Sequence, residues 1–168
     1  PCRDDYRGQL ALDQPEAFGL LQWLEGMKGG GKEVLAAFDV HSYGMLVLGP
    51  HGFSNDPVLD RERVMEVGTV VGDGMGRPNK RNYRVGTGDL DGYSYLVDGM
   101  VQDAWRKEGI TPLSYTLELF PGYGPCAECV DNNGFWPKPR EIRKSCADLA
   151  AGVGDLLRFF AAEVAARD

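Results

Sequence analysis

Two histidines occur in the 168 residues, and His41 stands where an apolar stretch stops. The run Ala36-Ala37-Phe38-Asp39-Val40 leads straight into His41-Ser42-Tyr43, so an imidazole is followed by two hydroxyls. Imidazole is the commonest metal ligand and changes charge nearest neutral pH. A lone histidine at a strand end is more often structural than functional, but three features weigh the other way. The C-terminal ends of strands are where α/β sheets place their sites. Ser42 and Tyr43 offer hydroxyls to a ligand. Asp39, two residues back and on the same strand face, can hold the second ring nitrogen, as carboxylates do behind metal-bound histidines.

Glu118 is the second group. Residues 113–119 alternate, with Leu113, Tyr115, Leu117 and Leu119 on one face and Ser114, Thr116 and Glu118 on the other. A glutamate on so apolar a strand ordinarily meets solvent. If its face lines the same cleft as His41, burial raises its pKa and suits it to be a general base near neutral pH. Tyr93 and Tyr95 sit in a glycine-flanked stretch, where tyrosines are commonly just exposed; a mobile one can donate a hydrogen bond to a reacting carbonyl. Cysteines stand at 2, 126, 129 and 146. Cys126, Cys129 and Cys146 read either as one disulfide with a leftover thiol or as a structural zinc site short of its fourth ligand. The disulfide is favoured, and with it an oxidising or secretory location.

These groups need elements to carry them. Residues 13–27 read as a helix capped by Asp13, with Pro15 in the first turn and Phe18, Leu21 and Leu24 on one face. The Lys28–Lys32 run of lysine and glycine lacks the spacing of a phosphate loop and reads as a connector. Residues 33–40 form a strand that looks buried on both faces, like a central strand of an α/β sheet. Residues 45–48 form a second strand. A helix runs from Asn55 to about Val71 and ends in a glycine-rich loop. Residues 81–97 are loop with one short strand, and 98–107 a short helix. From Pro139 onward a long helix shows Ile142, Cys146, Leu149, Ala150, Val153, Leu156, Leu157, Phe160 and Val164 as one apolar stripe, expected to pack on the sheet. Strands alternating with helices predict an α/β sandwich in one domain.

Eighteen basic against 25 acidic residues give a net charge of −7, which argues against nucleic acid and anionic membrane surfaces as partners. No apolar run approaches the roughly 20 residues that span a bilayer. The chain opens on Pro1-Cys2, so upstream sequence is expected to have been removed or to be missing.

In order along the chain, these stretches resemble zinc metallocarboxypeptidases of the pancreatic A/B type. "FDVHSYGMLVLGPHG" is similar to that family's strand ending in H-S-Y, and "LSYTLELFPGYG" to its strand ending in T-x-E-L. "YLVDGMVQDAW" resembles the stretch that carries the family's mobile tyrosine. "PCRDDYRG" and "GFWPKPREI" resemble its flanking segments. The resemblance implies a mixed-sheet three-layer α/β/α sandwich of the zinc-exopeptidase type, of which residues 1–168 supply the C-terminal portion. It implies that His41 binds one zinc ion, that Glu118 is the catalytic base activating water at that zinc, and that Tyr95, preferred to Tyr93, closes over substrate. Ser42, Tyr43, Thr116 and Phe135 would line the substrate cleft. Gln102 would floor the pocket for the C-terminal side chain, with Leu90, Val97, Met100 and Thr116 as walls. A glutamine there is neutral and favours bulky neutral residues.

Three departures stand out. The family's H-x-x-E zinc-ligand pair, its carbonyl-polarising arginine and its Asn-Arg carboxylate clamp have no counterpart here. His51 stands beside a proline beyond a short strand and does not replace them. The N-terminal portion of the enzyme is therefore the expected partner, with Cys2 matching a family cysteine whose disulfide partner lies upstream. The segment after Glu118 is longer than the family's and carries the cysteine pair, which reads as a stapled rim loop. One extra residue falls between Tyr95 and Glu118, near Lys107–Gly109. The expectation is a zinc-dependent exopeptidase that removes the C-terminal residue of peptides and is active only with its other portion. The rival is an inert peptide-binding or assembly module of the same fold.

Overall fold

A computed structural model describes residues 9–10, 13–88, 90 and 95–166. Tyr93 and Cys2 lie outside the described residues. The elements in chain order are α1 (Pro15–Gly29), β1 (Ala37–Gly44), β2 (Leu46–Gly49), α2 (Arg61–Gly76), β3 (Arg84–Thr87), α3 (Val101–Lys107), β4 (Ser114–Gly122), a 3₁₀ turn (Val130–Asn132) and α4 (Pro139–Ala165). The sheet order is β1-β4-β2-β3. β1 runs parallel to β4, β4 antiparallel to β2, and β2 parallel to β3.

The alternation along β4 organises the molecule. Tyr115 and Leu117 are fully buried on one sheet face, packed with Val47, with Val64, Val67, Val71 and Met75 of α2, and with Leu156 of α4. Each such side chain contributes about 1.5–3 kcal/mol of burial. The Tyr115 hydroxyl donates to the Val64 carbonyl at 2.9 Å, so its polar end is satisfied within the core. On the other side, Leu21 and Leu24 of α1 cluster with Trp105 and Ile110 at α3. Two helical layers thus sandwich a mixed sheet.

Four expectations are corrected. β1 does contain His41, but it is the outer strand of the four and half-exposed, with Val40 45% exposed. Its apolar composition suggested a central strand, yet among the described residues only β4 pairs with it. Asp13 does not cap α1. Its carboxylate instead accepts the N–H groups of Gln9 and Leu10, and Gln14 takes the cap position. The glycine-rich stretch after Val71 is helix: a Cβ on Gly72 would come within 2.7 Å of Val85, and one on Gly74 within 2.8 Å of Gly152. Glycine there serves close approach of α2 to β3 and α4, which outweighs its weak helix propensity.

The stripe expected on α4 is the fourth. Ile142, Cys146, Ala150, Leu157 and Val164 are exposed, and α4 buries Glu141, Ser145, Asp148, Gly152 and Leu156 against α2 and the segment after it. Pairing permits this. Asp148 accepts from Asn79 Nδ2 and Arg81 Nη1, each at 2.7 Å, and from the Tyr83 hydroxyl at 3.0 Å. Arg81 Nη2 donates to Glu141 at 2.6 Å, and its guanidinium lies over the Phe120 ring at 4.0 Å. Buried charges are tolerated where every one is paired and hydrogen-bonded.

Candidate active site

His41 and Glu118 occupy the same rung of the β1–β4 pairing, and Asp39 and Thr116 the rung two before it. Registered residues of paired strands share a face, so all four side chains lie on the α1–α3 side of the sheet. The layer behind them is dry and polar. Ser114 Oγ donates to the Gln102 carbonyl at 2.8 Å, and the Thr116 hydroxyl donates to Gln102 Oε1. Gln102 is 1% exposed, and its Nε2 is buried without a partner among the described residues.

Glu118 is the perturbed group. Its Oε2 is enclosed and makes no hydrogen bond among the described residues. Burial pushes its pKa up to about 7; His41 pulls it down and Asp39 adds to the rise. A carboxyl that titrates near neutrality can accept and return a proton at physiological pH. His41 is half-exposed, and its Nε2 meets Asp39 Oδ2 at 2.7 Å. Nδ1 makes no hydrogen bond among the described residues.

Aromatic rings border these groups. Tyr43 packs edge-on against Phe135 at 4.9 Å and Tyr123 at 6.0 Å. Gly134 makes the first contact possible, since a Cβ there would fall 2.5 Å from the Tyr43 ring. The loop behind them is stapled by a Cys126–Cys129 disulfide, and Cys146 is a free, exposed thiol. The three cysteines therefore do not share a metal. Tyr123, which the sequence reading passed over, has its phenol pKa raised by burial first, then by Glu118, Tyr95 and Tyr43. It follows Glu118 by five residues, just beyond the end of β4, and no sequence pattern singles it out.

The remaining candidates are less gathered. Tyr95 is 72% exposed and Phe135 likewise. Ser42 pairs with Leu119, one step out of phase with the His41–Glu118 rung. Met100 packs over Gly52, and Leu90 over Gly86. A cleft of about 830 Å³ between α1 and α3, lined in part by Leu20, Phe53, Met100 and Trp105, contains neither His41 nor Glu118.

A family model, that of the zinc carboxypeptidases, matches residues 1–152. The chain belongs to the zinc carboxypeptidase family. It is 30% identical over 120 residues to human carboxypeptidase O, covering 70% of this chain and 30% of that protein. It is 27% identical over 125 residues to a zinc carboxypeptidase of Simulium vittatum, covering 74% of this chain and 39% of the relative. It thus spans well under half the length of the curated relatives it matches. Two solved structures share the fold. One is bovine thrombin-activatable fibrinolysis inhibitor in complex with tick carboxypeptidase inhibitor, with a TM-score of 0.78 at 20% identity, covering 96% of this chain and 50% of that one. The other is carboxypeptidase A from Helicoverpa armigera, with a TM-score of 0.74 at 22% identity, covering 99% and 38%.

Carboxypeptidases of this family are zinc enzymes by name, and a catalytic zinc keeps three protein ligands. Among the described residues no group of three histidines, cysteines or carboxylates is placed to hold a metal ion. His41, with one ring nitrogen held and the other open, fits one corner of such a site. No helix among the described residues is long and apolar enough to cross a membrane.

Proposed function

We propose that this carboxypeptidase-family chain carries the general base and one metal ligand of a peptidase that removes C-terminal residues. The other ligands would come from an N-terminal portion of the same enzyme, linked through Cys2. The observation that carries this reading is Glu118, whose Oε2 is enclosed without a partner among the described residues and whose pKa is pushed up to about 7, on the same rung as His41. Glu118 takes a proton from the attacking water and returns it to the departing amine. Tyr95 hydrogen-bonds the new carboxylate from a loop position that is open to solvent. Ser42, Tyr43 and Phe135 border the peptide. Gln102 and Thr116, uncharged and buried behind Glu118, favour an uncharged C-terminal side chain. Zinc, when bound, supplies Lewis-acid polarisation of the scissile carbonyl. The Cys126–Cys129 disulfide supports an oxidising, secretory location.

The test uses the chain assembled with its N-terminal portion. Glu118→Gln should retain zinc and lose at least about 100-fold in kcat on a peptide ending in Phe or Leu. His41→Ala should lose the metal, read by elemental analysis. Undiminished turnover in Glu118→Gln would overturn the assignment. An assembled wild-type protein that binds peptides without cleaving them would favour the inert module.

A further inference from the structure

We propose that Asp39 is a positioning residue, holding the His41 imidazole in a single tautomer and orientation so that Nδ1 is presented to a metal ion. The proposal rests on the reading of His41 as a ligand. Asp39 and His41 stand two residues apart along β1 and so share a face, two rungs apart. The 2.7 Å contact runs from the ring Nε2 to Asp39 Oδ2. An ionised carboxylate only accepts hydrogen bonds. In the neutral ring the proton is therefore on Nε2, and the lone pair that a metal requires is left at Nδ1.

Competition for that carboxylate is low. Thr116, its partner across the rung, commits its hydroxyl to Gln102. Without Asp39, a ring 51% exposed on an outer strand would exchange between rotamers and tautomers. A charge-assisted hydrogen bond removes that freedom before any ligand arrives. Asp39 touches neither substrate nor reacting atoms in this account; it acts through His41.

Two readouts test it. The first is a ¹H–¹⁵N spectrum of the imidazoles in the full chain, assigned with a His51→Gln variant. A slowly exchanging Nε2-bound proton on His41 is expected in the wild type, lost in Asp39→Ala and partly restored in Asp39→Asn, whose amide oxygen still accepts. The second is zinc affinity of the assembled protein by chelator competition. It should weaken about 10–100-fold in Asp39→Ala and less in Asp39→Asn, with far-UV circular dichroism unchanged. If His41→Ala strips the zinc while Asp39→Ala alters neither affinity nor the imidazole proton, the inference fails and the ligand reading stands. If His41→Ala leaves zinc affinity unchanged, both fall.

Discussion

Glu118 faces His41 across one rung of the parallel pairing between β1 and β4. The two residues lie far apart in the chain, yet backbone hydrogen bonds of a sheet fix their spacing. No loop has to adopt a particular shape to bring carboxylate and imidazole together. Sites built on strands hold their geometry more tightly than sites built on loops; Tyr95 and Phe135, both on loops, are each 72% exposed.

Burial of Glu118 has a thermodynamic signature. Its folded-state pKa of about 7 lies above the ordinary 4.5, so between those values the folded protein holds a proton that the unfolded chain releases. The protonated carboxyl's contribution is fully present below pH 4.5 and is lost as pH rises through 7. In zinc-free protein, Glu118→Gln should match the wild type near pH 4. Above pH 8 it should be more stable by on the order of 1–3 kcal/mol, after allowance for partial exposure. Urea unfolding at the two pH values checks this.

The Gln102–Thr116 pair predicts a non-additive cycle. Thr116→Val leaves Gln102 Oε1 buried beside the already unpaired Nε2, a cost of about 1–3 kcal/mol. Gln102→Met should cost a similar amount by stranding the Thr116 hydroxyl. The double variant should recover much of the loss, because neither polar group is then left alone. Denaturant midpoints of the four proteins give the coupling.

Removing Arg81 should be severe. Its guanidinium is the shared partner of Glu141 and Asp148, which are 2% and 0% exposed. Arg81→Met leaves two carboxylates buried with one fewer donor each, a loss of about 3–5 kcal/mol. Replacing all three with apolar residues of matching volume should cost much less. Thermal unfolding of the single and triple variants separates broken pairing from lost packing.

Thiol mapping tests the cysteine arrangement. Iodoacetamide on the native protein should modify Cys146, while Cys126 and Cys129 appear in one disulfide-linked peptide that is alkylated only after reduction and unfolding. The bridge closes so short a loop that its loss should cost only about 2 kcal/mol on the chain-entropy account. Reduction should therefore loosen the Phe135 rim well before it unfolds the core, visible as faster amide exchange in residues 123–137.

Much of the architecture was legible because period-2 and period-3.6 patterns survive in the sequence. The β4 alternation, the short β2 and β3, and the extent of α4 all follow from it. What failed were the places where tertiary partners override local preference. Gly72, Gly74 and Gly76 read as a loop because their value lies in what packs against them. Nothing in the sequence marks Glu141 and Asp148 as buried, because Arg81, Asn79 and Tyr83 sit far away in the chain. β1 read as central because composition reports apolarity, not the number of neighbouring strands. At the site, the pairing of His41 with Glu118 could be anticipated only as a condition on which faces met. The clustering of Tyr123 with Tyr43 depends on a turn that the pattern does not specify.

The two faces of β4 divide the labour of the protein residue by residue. Tyr115 and Leu117 look into oily packing, while Ser114, Thr116 and Glu118 look into the polar layer. A mutational scan along this strand should therefore produce an alternating phenotype. Substitutions at Tyr115 and Leu117 should lower yield and melting temperature most, and those at Ser114 and Thr116 by the smaller cost of a stranded hydrogen-bond partner. Glu118→Gln should leave a well-expressed protein with altered chemistry, so that a single segment of chain records separately what the core and what the candidate site demand.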